Sequence, residues 1–222
     1  MSSNVRMQCL DVFKNVFRSL FPEQCCICNK NSDTAVCSFC EDDVYKDLKI
    51  SKEDLRFELW CLFPYTNPAL QKWLHEIKFE GNQRAAHHLS RFLKNKIYLD
   101  ALTKVYCVIP IPIHARKKRK RGFNQLDLIT KEWVLNHGTS YLDIVTRKKN
   151  TKPLFDLSIE ERKKELENAF DLHTNYTQNC LNDKTVCLID DIYTTGATIT
   201  AVVNLLKTLG VTDIKVVTLA RA

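Results

Sequence analysis

The chain has 222 residues, 45% of them hydrophobic and 27% charged, which is enough for one large α/β domain with an appendage or for two small domains. That balance excludes a disordered or fibrous chain, and no apolar run approaches the roughly 20 residues of a membrane-spanning helix. Ten cysteines and a net charge of +7 take their meaning from placement. No apolar secretory signal opens the sequence, so a cytoplasmic location is expected, where cysteines read as metal ligands or buried thiols.

Residues 8–20 predict an amphipathic helix, with Leu10, Phe13, Phe17 and Leu20 at helical spacing and Val12 and Val16 widening the stripe. Docking on the protein's own core is the preferred role for it, with peripheral membrane contact as the alternative. Pro22 ends the helix and opens a cysteine-rich stretch. Cys25-x2-Cys28 and Cys37-x2-Cys40 offer four thiolates on two tight turns, a set that suits tetrahedral zinc in a structural role. Cys26 is a less favourably spaced competitor, and Cys9, Cys61, Cys107, Cys180 and Cys187 have no such partner. Residues 1–48 are therefore expected to form a helix and zinc finger, and 49–222 a larger α/β domain.

A mixed linker occupies 46–60. A turn, a helix, a break at Gly81 and a second helix follow, and His87 and His88 in that second helix point in different directions, which fits structural roles. The apolar stretch 105–114 reads as a strand stopped by Pro110 and Pro112, then a basic loop, then a helix from Leu126 to Asn136. A strand near 141–146 precedes a helix over 158–169 that opens with Ser158 and Glu161 as a capping box. The end reads as a strand to Asp190, a loop, a helix closed by Gly210 and a last strand over 213–220. Strands alternating with helices imply a mostly parallel sheet.

Two segments carry chemistry. In residues 186–200, Asp190 and Asp191 close an apolar strand, and Thr194-Thr195-Gly196-Ala197-Thr198 opens a helix. The carboxyl end of a parallel strand is where ligands bind in such sheets, and a helix N-terminus presents free N–H groups to an anion. A tight capped turn alone explains a threonine and a glycine, but not two adjacent acids at the buried end of a strand. A phosphorylated sugar satisfies both halves, with acids for its hydroxyls and amides for its phosphate. The second segment is Arg116, Lys117, Lys118, Arg119, Lys120 and Arg121, followed by Gly122, Phe123, Asn124 and Gln125. A cationic loop at the same sheet edge fits a departing pyrophosphate, and it equally fits a nucleic-acid backbone with Phe123 as a stacking ring. His114 stands beside it as a candidate phosphate contact.

The 190–198 string resembles the phosphoribosyl-pyrophosphate (PRPP) signature of type I phosphoribosyltransferases, complete at Asp190, Asp191, Thr194, Thr195, Gly196, Ala197 and Thr198. The resemblance implies that the two acids hold the ribose hydroxyls, that the turn holds the 5′-phosphate, and that Mg²⁺ accompanies PRPP. The stretch from Pro110 to Gln125 is similar to the hallmark of the ComF family of competence proteins, as are Phe63-Pro64-Tyr65, Ile77-Lys78-Phe79 with Gly81, and the final TLARA. Leu154 and Glu165 stand where that family commonly has a glutamine and an asparagine, which puts acceptor recognition in question. The implied function is a PRPP-binding competence protein that handles incoming single-stranded DNA alongside other DNA-uptake proteins. The alternative is a metabolic phosphoribosyltransferase with a small acceptor, and a PRPP sensor without turnover is a third reading. Asp190, Asp191, Arg116 and Arg121 are the expected catalytic groups, and whether transfer occurs is left open. Residues 116–121 contribute six units of charge, so the rest of the chain nets about +1 (7 − 6 = 1).

Overall fold

The computed structural model describes residues 23–149, 158–174, 176 and 181–222. The expected first helix, Leu154, Cys9 and Cys180 lie outside the described residues. In chain order the elements are α1 (Ser38–Lys46), β1 (Ser51–Asp54), β2 (Glu58–Pro64), α2 (Pro68–Lys78), α3 (Gln83–Lys96), a short 3₁₀ turn (Asp100–Leu102), β3 (Cys107–Pro110), α4 (Ala115–Arg121), α5 (Gln125–Asn136), β4 (Ser140–Tyr141), β5 (Val145–Arg147), α6 (Ile159–Leu166), β6 (Phe170–Leu172), β7 (Thr185–Tyr193), α7 (Ala197–Lys207) and β8 (Asp213–Arg221).

Six strands form one sheet in the order β1-β2-β8-β7-β3-β4. Only β1 and β2 run antiparallel; every other neighbour is parallel. β5 and β6 pair separately as a small antiparallel ribbon. The core lies on both faces of the main sheet. On one face Trp73, Ile77, Phe92 and Trp133 from α2, α3 and α5 cover Leu62, Val108, Cys187 and Ile189. On the other, Ile199, Val202 and Leu206 of α7 cover Val186, Leu188 and Ile109. Cys187 and Ile189 thus face one way and Val186 and Leu188 the other, the alternation of any strand. Buried Cys61, Cys107 and Cys187 are core thiols. No described helix is long and apolar enough to cross a membrane.

Several expectations are corrected. The linker over 46–60 is largely the edge hairpin β1–β2, and Leu62 to Pro64 continue β2 rather than start a turn. The strand expected over 141–146 is two short strands in different sheets. The capping box of α6 forms as predicted, but the helix ends at Leu166.

The finger packs on the main domain. Glu41 Oε2 of α1 meets His88 Nε2 of α3 at 2.8 Å, Asn67 Nδ2 donates to Asp47 Oδ2 at 2.8 Å, and Arg84 pairs with Glu23. Cys25, Val36, Cys40 and Val44 join the same apolar cluster as Trp73 and Phe92. His88 is buried and edge-on to Trp73, the structural role its position implied.

Candidate functional site

β7 is central, with β3 and β8 on either side, so its carboxyl end is fixed by parallel partners. Asp190 is aligned with Thr218 of β8. The chain then turns at Gly196, which caps α7 with a φ of 71°. Glycine is required there twice over: the left-handed conformation penalises a side chain, and a Cβ would lie 2.6 Å from the Tyr193 hydroxyl. The turn and the first residues of α7 wall a cleft whose lining includes Asp190, Thr194, Thr195 and Thr198. A helix N-terminus with threonine hydroxyls beside it can take up an anion, and the structure brings these residues to one cleft with Asp190.

The two acids do not share one environment. Successive strand residues point to opposite faces, and here Asp190 lines the cleft while Asp191 turns toward α2 and α5. Asp191 is 8% exposed, and its Oδ2 takes Lys78 Nζ at 2.8 Å and Gln125 Nε2 at 3.5 Å. Asp190 Oδ1 accepts from the Asp191 amide at 2.9 Å. Burial, then repulsion from Asp191, raise the Asp190 pKa to about 7 against the pull of that amide, Lys78 and Arg147.

The basic segment is a helix, not a loop: α4 spans Ala115–Arg121, with His114 as N-cap through Nδ1, which accepts from the Arg116 amide at 3.1 Å, and Gly122 as a left-handed C-cap. A helix divides the six cations into faces. Lys117 and Arg121, four apart and therefore neighbours, are half-buried, whereas Arg116, Lys118, Arg119 and Lys120 are exposed. Burial lowers the pKa of Lys117, and the charges of Arg147 and Arg121 add to that effect. Arg147 of β5 is itself pushed down by burial, with Asp190 and Glu165 opposing. Arg121 therefore lies within electrostatic reach of Asp191, Arg147 of Asp190, and Lys117 of both arginines. Arg116, expected beside Arg121, lies on the solvent face, and Lys117 takes the inward position. Phe123 is corrected from a stacking ring to a core residue at 9% exposure.

Lys78, Gln125 and Arg147 also stand at the site; the first two lie in the family-like strings Ile77-Lys78-Phe79 and Pro110 to Gln125, which gave them no role there, and Arg147 has no local signal. Lys78 ends an ordinary amphipathic helix, and Arg147 stands among other cations on a strand of three residues. Glu165 falls within electrostatic reach of Arg147, so the departure from the family pattern sits near the cations of the site.

The four cysteines form the second site. The Sγ atoms of Cys25, Cys28, Cys37 and Cys40 all lie within 4.8 Å of one another, with Cys26 outside the group. A tetrahedron with metal–sulfur bonds of about 2.3 Å has sulfur–sulfur edges of about 3.8 Å, and the Cys28–Cys37 separation is 3.7 Å. Burial pushes the Cys25 thiol up, but hydrogen bonds from the Cys28, Cys37 and Ile27 amides outweigh it and bring it down to about 7. Burial, and then repulsion from Cys25, raise Cys26 instead. The donor set fits a structural zinc ion held by Cys25, Cys28, Cys37 and Cys40.

A mostly parallel sheet with an acid and a threonine-rich turn at the carboxyl end of its central strand fits a phosphoribosyltransferase-type domain, and the phosphoribosyl transferase domain model matches residues 134–222. Among curated relatives, DNA utilization protein YhgH of Shigella flexneri is 30% identical over 69% of the chain and 68% of its own length, and competence protein ComFC of Streptococcus pneumoniae is 28% identical over 86% and 90%. Competence protein F of Haemophilus influenzae is 37% identical over 52% of the chain, a match that spans half (50%) of that relative's length. The chain belongs to the ComF family.

Proposed function

We propose that the chain is a PRPP-binding competence protein that handles single-stranded DNA in the cytoplasm during natural transformation. One observation carries the ligand: Asp190 and the 194–198 turn line one cleft, the pairing that a 2′- or 3′-hydroxyl and the 5′-phosphate of one ribose require. The relatives' names, competence protein and DNA utilization protein, support the cellular role and give no support to a metabolic enzyme with a small acceptor.

The roles divide by position. Asp190 accepts from a ribose hydroxyl, and the α7 amides with Thr194, Thr195 and Thr198 hold the 5′-phosphate. Lys117, Arg121 and Arg147 take the pyrophosphate, whose charge grows as the bond from C1′ to oxygen breaks. Mg²⁺, held by PRPP's own oxygens, would neutralise part of that charge. The exposed cations of α4 offer a strand backbone a track outside the cleft. Zinc at the four cysteines keeps the finger folded.

The deciding experiment is PRPP titration by calorimetry with wild type and Asp190→Asn, together with pyrophosphate release measured with and without single-stranded DNA. Binding that falls at least about tenfold in the variant, the worth of one charged hydrogen bond, is the expected result. Equal affinity, or no PRPP binding by the wild type, overturns the assignment. Pyrophosphate release separates an enzyme from a sensor.

A further inference from the structure

Helix α4 cannot hold itself. Six of its seven residues are cations and none of them is buried; like charges three and four apart repel, and an isolated helix of this length is marginal even without them. Its inward end is nevertheless fixed. Arg121 Nη1 donates to Gln125 Oε1 at 2.8 Å. Gln125 is 4% exposed, and its Nε2 reaches Asp191 Oδ2 at 3.5 Å, the outer limit of a hydrogen bond. Lys78 holds that same oxygen at 2.8 Å.

We propose that Gln125 is a positioning residue that ties the inward cation of the basic helix to Asp191, and so sets where Arg121 meets a pyrophosphate. The chemistry is specific. A primary amide accepts on one side and donates on the other, so it bridges a guanidinium and a carboxylate without adding charge. A carboxylate at 125 would keep Arg121 and repel Asp191; a cation would do the reverse. Asp191 is the carboxylate end of this relay, held by Lys78 and Gln125 on the face opposite the one Asp190 lines. The consequence for pyrophosphate rests on the PRPP reading; the tether does not.

Three full-length variants test it: Gln125→Leu, which removes both bonds; Gln125→Glu, which keeps the acceptor and replaces the donor with a repelling carboxylate; and Gln125→Glu combined with Asp191→Asn, which restores a donor opposite an acceptor. Amide hydrogen exchange across residues 115–122 reads the tether, and calorimetry reads inorganic pyrophosphate and ribose 5-phosphate. In the first two variants exchange should quicken and pyrophosphate affinity fall, each by about tenfold, the worth of one hydrogen bond to a charged group, while ribose 5-phosphate affinity stays within about twofold. The double variant should recover part of both losses relative to Gln125→Glu. Unchanged exchange in Gln125→Leu, or a double variant no better than Gln125→Glu, overturns the relay. Should Gln125→Leu unfold, the comparison of Gln125→Glu with the double variant decides alone. If wild type binds neither pyrophosphate nor ribose 5-phosphate, the PRPP reading falls and the exchange data still judge the tether.

Discussion

Asp190 carries a charge where burial and a neighbouring carboxylate both oppose it, which is why its pKa rises from 3.8 to about 7. Between those values the folded chain binds a proton that the unfolded chain has released. Stability from this group therefore falls as pH rises from about 4 to about 7, and above that the cost is complete. Asp190→Asn should accordingly stabilise the protein at pH 8 by on the order of 1–2 kcal/mol and give no gain near pH 4, as read by urea unfolding at both values. Affinity for PRPP should move the other way: wild type should bind more tightly at pH 8 than at pH 6, because the hydroxyl acceptor is the ionised form, and the variant should show a weak, flat profile. Equal stability of the two proteins at pH 8 would contradict the buried charge. A site residue that costs stability is a common mark of function. It also explains why Asp190 was legible in the sequence: an acid at the end of an apolar strand has no structural excuse. Lys78 and Gln125 stand inside strings that resemble the family, yet neither they nor Arg147 were legible as a site, because what makes them one is proximity across 43 to 113 positions of chain, and proximity leaves no local pattern.

At the scale of elements, the alternation of strands and helices could be read directly, since apolar runs and caps are local. The basic segment could not, because six adjacent cations argue against a helix. Only His114, Gly122 and the contacts of its inward face supply what the composition lacks. The edge strand β1 was hidden for a related reason: Ser51 to Asp54 carry no apolar alternation, and pairing with β2 is what orders them. Because α4 has faces, its two expected partners should be separable. Lys118→Ala, Arg119→Ala and Lys120→Ala together should weaken single-stranded DNA binding and flatten its log–log salt slope by about 2, near 0.7 per lost phosphate contact, with PRPP affinity held. Lys117→Ala with Arg121→Ala should weaken PRPP and change the slope less. Anisotropy titrations across salt, paired with calorimetry, distinguish the two sets; equal losses of both ligands in both sets would mean that the faces share one task.

For the whole molecule, the consequential element is α2. Its N-cap, Asn67, accepts from the Leu70 amide at 2.7 Å and donates to Asp47 beside the finger; its last residue, Lys78, holds Asp191. Eleven residues span about 16 Å at 1.5 Å each, so one rigid helix joins the cysteine site to the acid pair. Its buried face, with Trp73 and Ile77, lies in the cluster that also takes in Cys25, Cys40 and Val44. The finger is therefore bonded into the main core rather than hung beside it, even though the chain passes from one to the other near residue 48. Two consequences of removing zinc follow. A strong chelator, or Cys25→Ser, should lower the melting temperature of the whole protein in a single transition. A loss of roughly 3 kcal/mol or more, well within the binding energy of a structural zinc, corresponds to a fall of about 6–12 °C at this size. PRPP affinity should also drop at temperatures where the chain is still folded, because loosening α2 at Asn67 releases Lys78 from Asp191 at the other end. Scanning calorimetry and PRPP titration on the same zinc-depleted sample test both. Two separate transitions with an unaltered PRPP site would show that the finger and the phosphate site are energetically independent, and that α2 transmits nothing between them.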